Sequence, residues 1–279
     1  MMEYNISNEY NTDMNNNYYN QSNMNMYINQ NANFNHYGMT DIGKVSKINE
    51  DNIEGFKLLG DSVQCLAIAD GLGSIHGGQI SSVVVIDEIK NYLKKFLLYD
   101  EQNHMKQVLY SAIYMVNRVI SNYQRINPEL YGSFTSTITI VLINRNKQMV
   151  LGHVGNTRLY LLREGNIYQI TRDDTYARDL VDCGEISEEE YKVHPDRNKL
   201  SKYIGEPNLE PYVNSGTLNK EDLLVLCSNG LFEMISEEQI KEIMYSTGNS
   251  KDACETFINA ANELGGIDNI GVMVSYINF

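Results

Sequence analysis

Apolar and β-branched residues cluster into short runs at residues 63–69, 137–143, 148–154, 158–162, 167–171, 222–228 and 269–279. Runs of this length, bounded by Gly, Asn and Asp, predict strands. Two longer stretches carry the helical period. Ile80, Val83, Val84, Ile89, Leu93, Phe96 and Leu97 mark a helix over 79–98, and Met105, Val108, Leu109, Ala112, Val116, Val119 and Tyr123 mark another over 104–123. Ser236-Glu237-Glu238-Gln239 has the spacing of a capping box and opens a helix to about residue 246; a last helix is expected over 251–264. The runs at 137–143, 148–154, 158–162 and 167–171 read as one antiparallel meander. Strands in groups and helices in pairs, without strict alternation, predict an α+β sandwich.

Two segments break this pattern. Residues 1–36 are dominated by Asn, Tyr, Met, Ser and Gln without either period, so a disordered extension is expected there, with the folded domain over 37–279. Residues 172–210 are polar and mixed, with short helices expected near 177–182 and after Ser187; a long insertion of this kind suggests a flap.

Composition narrows the class. The chain has 279 residues, 42% of them hydrophobic, enough for a substantial core. Its 22 Lys and Arg against 36 Asp and Glu give a net charge of −14, which disfavours binding to nucleic acid or an anionic membrane. Cys65, Cys183, Cys227 and Cys254 form no C-x-x-C pair, and no apolar run is long enough to cross a bilayer, so a soluble protein in the reducing cytoplasm is expected.

The candidate chemistry sits at strand ends. The run Leu66-Ala67-Ile68-Ala69 stops at Asp70-Gly71-Leu72-Gly73, where a buried strand delivers a carboxylate into a glycine turn. Glu50-Asp51 and Asp268-Asn269 occupy comparable edges far away in sequence. Carboxylates gathered from separate strands, without a Cys or His pattern, suit a hard cation such as Mg2+ or Mn2+. His153 falls within a strand run and is expected to pack; His76 is given no role.

The blocks "DIGKVSKINEDN", "IADGLGS" with "GGQISS", "GSFTST", "LGHVGNTRLYLLREGNIYQIT", "LVDCGEISEEEYKVHPDRNKLSKYIG", "LLVLCSNGLFEMIS" and "GGIDNIGVMV" occur in this order from residue 37 to the end. Together they resemble the metal-dependent protein phosphatases, the type 2C serine/threonine family. The resemblance implies a four-layer α-β-β-α sandwich of two antiparallel sheets flanked by helix pairs, with two Mg2+ or Mn2+ ions at one edge. It assigns metal-holding roles to Asp70, to the Gly71 carbonyl, to Asp268 and, through water, to Glu50. It also places Asp51 with Glu50 and Asp70 in the catalytic set, and it implies hydrolysis of phosphoserine or phosphothreonine in a protein by metal-activated water, without a phosphoenzyme.

Three positions depart from that pattern. Ser46 stands where the family has a phosphate-clamping arginine, with Lys44 and Lys47 as the neighbouring cations. Asn229 replaces an aspartate ligand, and Asn156 replaces the aspartate of a further, weaker metal position. Two readings therefore stand open: a phosphatase with a partly degraded site, in which one ion's occupancy is in question, and an inactive phosphoprotein-binding or regulatory module.

Overall fold

The computed structural model describes residues 26–30, 34–73 and 77–278. Within them the chain begins with strands β1 (Met26–Gln30), β2 (Phe34–Asp41), β3 (Asp51–Leu58) and β4 (Val63–Leu72), followed by helices α1 (Gly77–Phe96) and α2 (Gln102–Ile126). A short helix, α3 (Pro128–Tyr131), leads to β5 (Thr135–Ser136), β6 (Ile138–Asn144), β7 (Gln148–Val154), β8 (Arg158–Arg163) and β9 (Asn166–Gln169). Next come α4 (Tyr176–Asp182), α5 (Glu188–Val193), β10 (Tyr212–Thr217) and β11 (Leu223–Cys227). The chain closes with α6 (Asn229–Phe232), α7 (Glu237–Ser246), α8 (Ser250–Glu263) and β12 (Ile270–Ile277).

The strands form two antiparallel sheets, β1-β2-β12-β11-β8-β9 and β10-β7-β6-β4-β3, with β5 paired to β4. Period-2 alternation then sorts the side chains into three cores. In β6, Ile140 and Leu142 face α1 and α2, whereas Val141 and Ile143 face the other sheet. In β11, Leu223, Val225 and Cys227 pack towards α7 and α8, and Leu224 and Leu226 point inward. Helix pair, sheet, sheet and helix pair are the four expected layers. Both faces of each sheet are covered, which is why β6 and β11 are buried along their whole length. The Ser236 capping box forms as expected.

Three features differ from the expectation. The meander is divided, because β7 lies in one sheet and β8 in the other. Gly155, at φ +104°, turns the chain between them, and a Cβ there would meet Thr137 Cγ2 at 2.6 Å. The polar strand β10 carries little alternation and was not anticipated; it pairs along the edge of β7. Finally, β1 and β2 fall wholly or partly inside the expected extension over 1–36, with Tyr27 opposite Gly38 and β2 continuing onto β12. Tyr and Ile at 27 and 28 favour strand, and β2 offers the backbone partners that composition alone cannot reveal. Residues 1–25 and His76 lie outside the described residues. Among the described residues no helix is long and apolar enough to cross a membrane.

Candidate metal centre

Asp51 and Asp70 are direct partners in the β3–β4 ladder. Ile53 in β3, and Leu66 and Ile68 in β4, belong to the core between the sheets. The same alternation carries Asp51 and Asp70 onto that inner face, at its end. Like charges facing each other across a ladder destabilise it, so the local backbone is firmly held. Gly71 N–H donates to the Glu50 carbonyl (3.1 Å) and Thr137 N–H to the Asp70 carbonyl (2.8 Å). Asp70 N–H donates to Thr137 Oγ1 (2.9 Å), and the Ser136 hydroxyl donates to the Asp70 carbonyl (3.0 Å).

The opposite sheet supplies the second wall. Ser228 follows β11 on the inward parity of Leu224 and Leu226, and its hydroxyl donates to Asp51 Oδ2 at 2.6 Å. The Gly271 N–H donates to the same Ser228 Oγ (2.8 Å). Asn269 Oδ1 accepts from Glu50 N–H (2.8 Å), while its Nδ2 donates to the carbonyls of Ile42 (2.9 Å) and Ile48 (3.0 Å). Asp268 accepts from Asn269 N–H at 2.8 Å and from Asn229 Nδ2 at 3.3 Å. Glu50 is fixed from a third side by α1. The backbone of Gly78 donates to its carboxylate, and a Cβ on Gly78 would overlap that carboxylate. A Cβ on Gly71 would likewise overlap the Gly78 carbonyl, so glycine is needed at both places.

Among the described residues, the electrostatics of this pocket are those of acids crowded without a counter-charge. Burial pushes the Asp70 carboxyl well above the ordinary carboxylate range, and the charges of Asp51, Asp268 and Glu50 push it further. Burial likewise raises Asp51, to about 7, with the Ser228 hydroxyl opposing and Asp268 and Glu50 adding to the rise. Glu50 is raised by burial and by Asp268. Asp51 Oδ1 is buried without a hydrogen-bond partner. An orphaned carboxylate oxygen beside three further acids fits a hard cation. Among the described residues, no three His, Cys, Asp or Glu side chains close into a complete metal-holding cluster. Ions held here would keep much of their water, as small divalent cations do.

Of the residues the sequence singled out, Asp51 faces Asp70 across the ladder, Glu50 and Asp268 lie close enough for their charges to act on Asp70, Gly71 follows it in β4, and Asn229 bonds Asp268. Lys44 and Lys47 are exposed and Ser46 is half-buried, so no buried cation faces the acids from that loop. Asn156 is buried, its Oδ1 without a hydrogen-bond partner. His153 packs as expected: its ring bonds Thr139 Oγ1 and the Arg172 carbonyl, each at 2.9 Å, and burial lowers its pKa. Sequence reading gave no role to Ser228, Ser136 and Thr137, and named Asn269 only as the neighbour of Asp268. Only the inward parity of Ser228 and the hydroxyl-rich "GSFTST" block hinted at them.

Several proteins similar to this chain are named as serine/threonine phosphatases. The serine/threonine phosphatase stp of Listeria monocytogenes is 30% identical over 236 residues, covering 84% of this chain and 92% of its own. The crystal structure of the Mycobacterium tuberculosis serine/threonine phosphatase PstP/Ppp superposes with a TM-score of 0.77 at 29% identity, over 88% of this chain and 100% of that one. A catalytic domain of PstP determined in complex with 2 manganese ions gives a TM-score of 0.74 at 27% identity, over 88% and 99% of the two chains. The family model for protein phosphatase 2C matches residues 44–264, which hold Glu50, Asp51, Asp70, Gly71 and Asn229 and end just before Asp268, and the chain belongs to the protein phosphatase 2C family.

Proposed function

We propose that the protein is a metal-dependent protein serine/threonine phosphatase that removes phosphate from phosphoserine and phosphothreonine. The observation that carries this reading is the group of Glu50, Asp51, Asp70 and Asp268, presented by two sheets at one edge, with Asp51 Oδ1 left without a protein partner. In this reading Asp70 would be a holder of the cations. The Gly71 carbonyl, Glu50, Asp268 and the neutral oxygen of Asn229 would be the other groups able to hold them.

Two divalent cations, Mg2+ or Mn2+, supply an activated water and neutralise the phosphoryl charge when bound. The chain's own residues orient and exclude. The Ser228 hydroxyl fixes Asp51, and the Ser136 and Thr137 groups fix the Asp70 backbone. Burial raises both Asp51 and Asp70, so without a cation these two carboxyls are the ones able to hold a proton at the inner end of the site.

The test is a manganese titration. Purified protein at millimolar Mn2+ is expected to hydrolyse a phosphothreonine peptide, and calorimetry is expected to show two classes of site, the weaker at the Asn229 edge. Binding of a phosphopeptide without metal-dependent turnover would instead support the inactive-module reading.

A further inference from the structure

A cleft of about 560 Å³ lies between α2 and the edge strand β10, lined by Lys106, Gln107, Tyr110, Ser111, Pro211 and Val213. Tyr110 is 40% exposed, and Tyr114, one turn on and on the same side of the helix, 43%.

The strand side of the cleft offers backbone. Leu218 N–H donates to the Lys147 carbonyl at 2.8 Å, and the β10–β7 register continues from that pair. Hydrogen-bonded pairs recur at every second residue of an antiparallel ladder. Tyr212, Asn214 and Gly216 therefore turn their N–H and carbonyl groups to β7, and Val213, Ser215 and Thr217 turn theirs outward. Two outward groups are already occupied: Ser215 N–H donates to Asn214 Oδ1 (2.8 Å), and the Thr217 carbonyl accepts from Arg163 Nη2 (3.0 Å). Among the described residues, the N–H and carbonyl of Val213 have no such partner. A donor and an acceptor on one edge residue, beside a helix and an aromatic ring, match one further strand in extended conformation.

Charge selects what that strand carries. The chain has a net charge of −14, yet the one charged side chain lining the cleft is Lys106, which no ion pair engages among the described residues. The neighbouring pocket, at the start of α2, is lined by Asp100 and Glu101. An acidic side chain is thus repelled from that end and drawn to Lys106.

The register shows where the strand leads. Val213 is level with Gly152, Ile140 and Ala67 across β7, β6 and β4, and Ala67 precedes Asp70 in β4. Crossing those strands and moving along β4 to Asp70 covers about 17 Å, which about five or six extended residues span. A segment antiparallel to β10 runs towards that end, because β10 begins there with Tyr212 opposite His153.

We propose that this cleft docks an extended segment of the phosphorylated protein, which adds to the edge of β10 with an acidic side chain against Lys106 and carries its phosphoresidue about five or six residues further towards its C-terminus. Delivery of the phosphoresidue rests on the phosphatase reading above; the docking itself does not.

The test is a phosphothreonine peptide library, randomised over about ten residues on each side so as to outreach that span. It is screened against the full chain by capture in EDTA and by turnover with Mn2+. Both screens are expected to select Asp or Glu about five or six residues before the phosphothreonine. Lys106→Glu should move that selection to Lys or Arg, a switch that a merely structural role would not produce. For a selected peptide, Lys106→Ala and Tyr110→Ala should each weaken capture about two- to fivefold, the scale of one solvent-facing contact. N-methylation of the peptide residue facing Val213 should weaken it about tenfold. Turnover of p-nitrophenyl phosphate should stay level in these variants, and Tyr168→Ala on β9, in the other sheet, should leave capture unchanged. The same acidic selection in Lys106→Glu overturns the proposal. Turnover of the library with selection only beside the phosphothreonine overturns the docking site and leaves the phosphatase reading. Capture with the distal selection, but no metal-dependent turnover of any substrate, overturns the phosphatase reading and leaves the docking site.

Discussion

The two walls of the metal edge are built by the same device, a strand end whose inward parity runs out of apolar residues, yet they differ in charge. The β3–β4 wall presents Glu50, Asp51 and Asp70, all raised by burial and mutual repulsion. The β11–β12 wall presents Asp268 between two amides, Asn229 and Asn269, whose nitrogens already donate to protein oxygens. The first wall is incomplete without a cation, while the second meets part of its own hydrogen-bonding demand. A cation should therefore matter more to the first wall than to the second, and uneven metal affinities follow from that asymmetry.

The sharpest way to break the comparison is to neutralise the charged wall. Asp70→Asn is expected to lower metal-dependent phosphopeptide turnover by about 1,000-fold or more, since in the proposed reading it removes a carboxylate that would hold the cations. Steady-state assays with saturating Mn2+ check this, and a loss under tenfold would mean that the two walls do not differ as described.

A smaller effect comes from pH. Asp51 and Asp70 have raised pKa values in the fold, so the metal-free native state holds protons that the unfolded chain releases from about pH 4 upward. Stability should then be fullest at low pH in that window and be lost as pH rises through Asp51's value of about 7. Thermal melts in EDTA should fall by on the order of 5 °C between pH 5 and pH 8, and excess Mn2+ should remove most of the difference. A melting temperature that rises over the same range would contradict the crowding of acids.

The smallest effect probes the amide wall. Asn229→Asp adds a charge opposite Asp70 and should tighten the weaker manganese site about tenfold by calorimetry, leaving the stronger one nearly unchanged. Equal tightening of both sites would show that the walls act as one.

Much of the architecture was legible because burial on both faces leaves so clear a trace. The continuous apolar runs of β6 and β11, the helical spacing in α1 and α2 and the Ser236 capping box each specify their element locally. The polar edge strand β10 left no such trace, because an edge exposed on both faces has no alternation to impose. The assignment of β7 and β8 to different sheets was hidden for another reason. Pairing partners are set by tertiary contacts, and a single glycine at position 155 does not say which sheet follows. In the site, carboxylates at strand ends stood out, but Ser228 did not: a serine becomes a partner of Asp51 only once two distant strands bring their inward faces together.

The crossing at Gly155 also bears on what the site can accommodate. Three residues separate β7 from β8, and three residues reach about 10 Å, close to the spacing of stacked sheets. This strap lies at the same end of the sandwich as the acids, next to Thr137 and, through it, Asp70. The gap between the walls is therefore a covalent dimension, fixed by chain length and not by the sum of weak contacts across it. The two walls are thereby tethered at the metal edge, and a longer strap would free them to separate there.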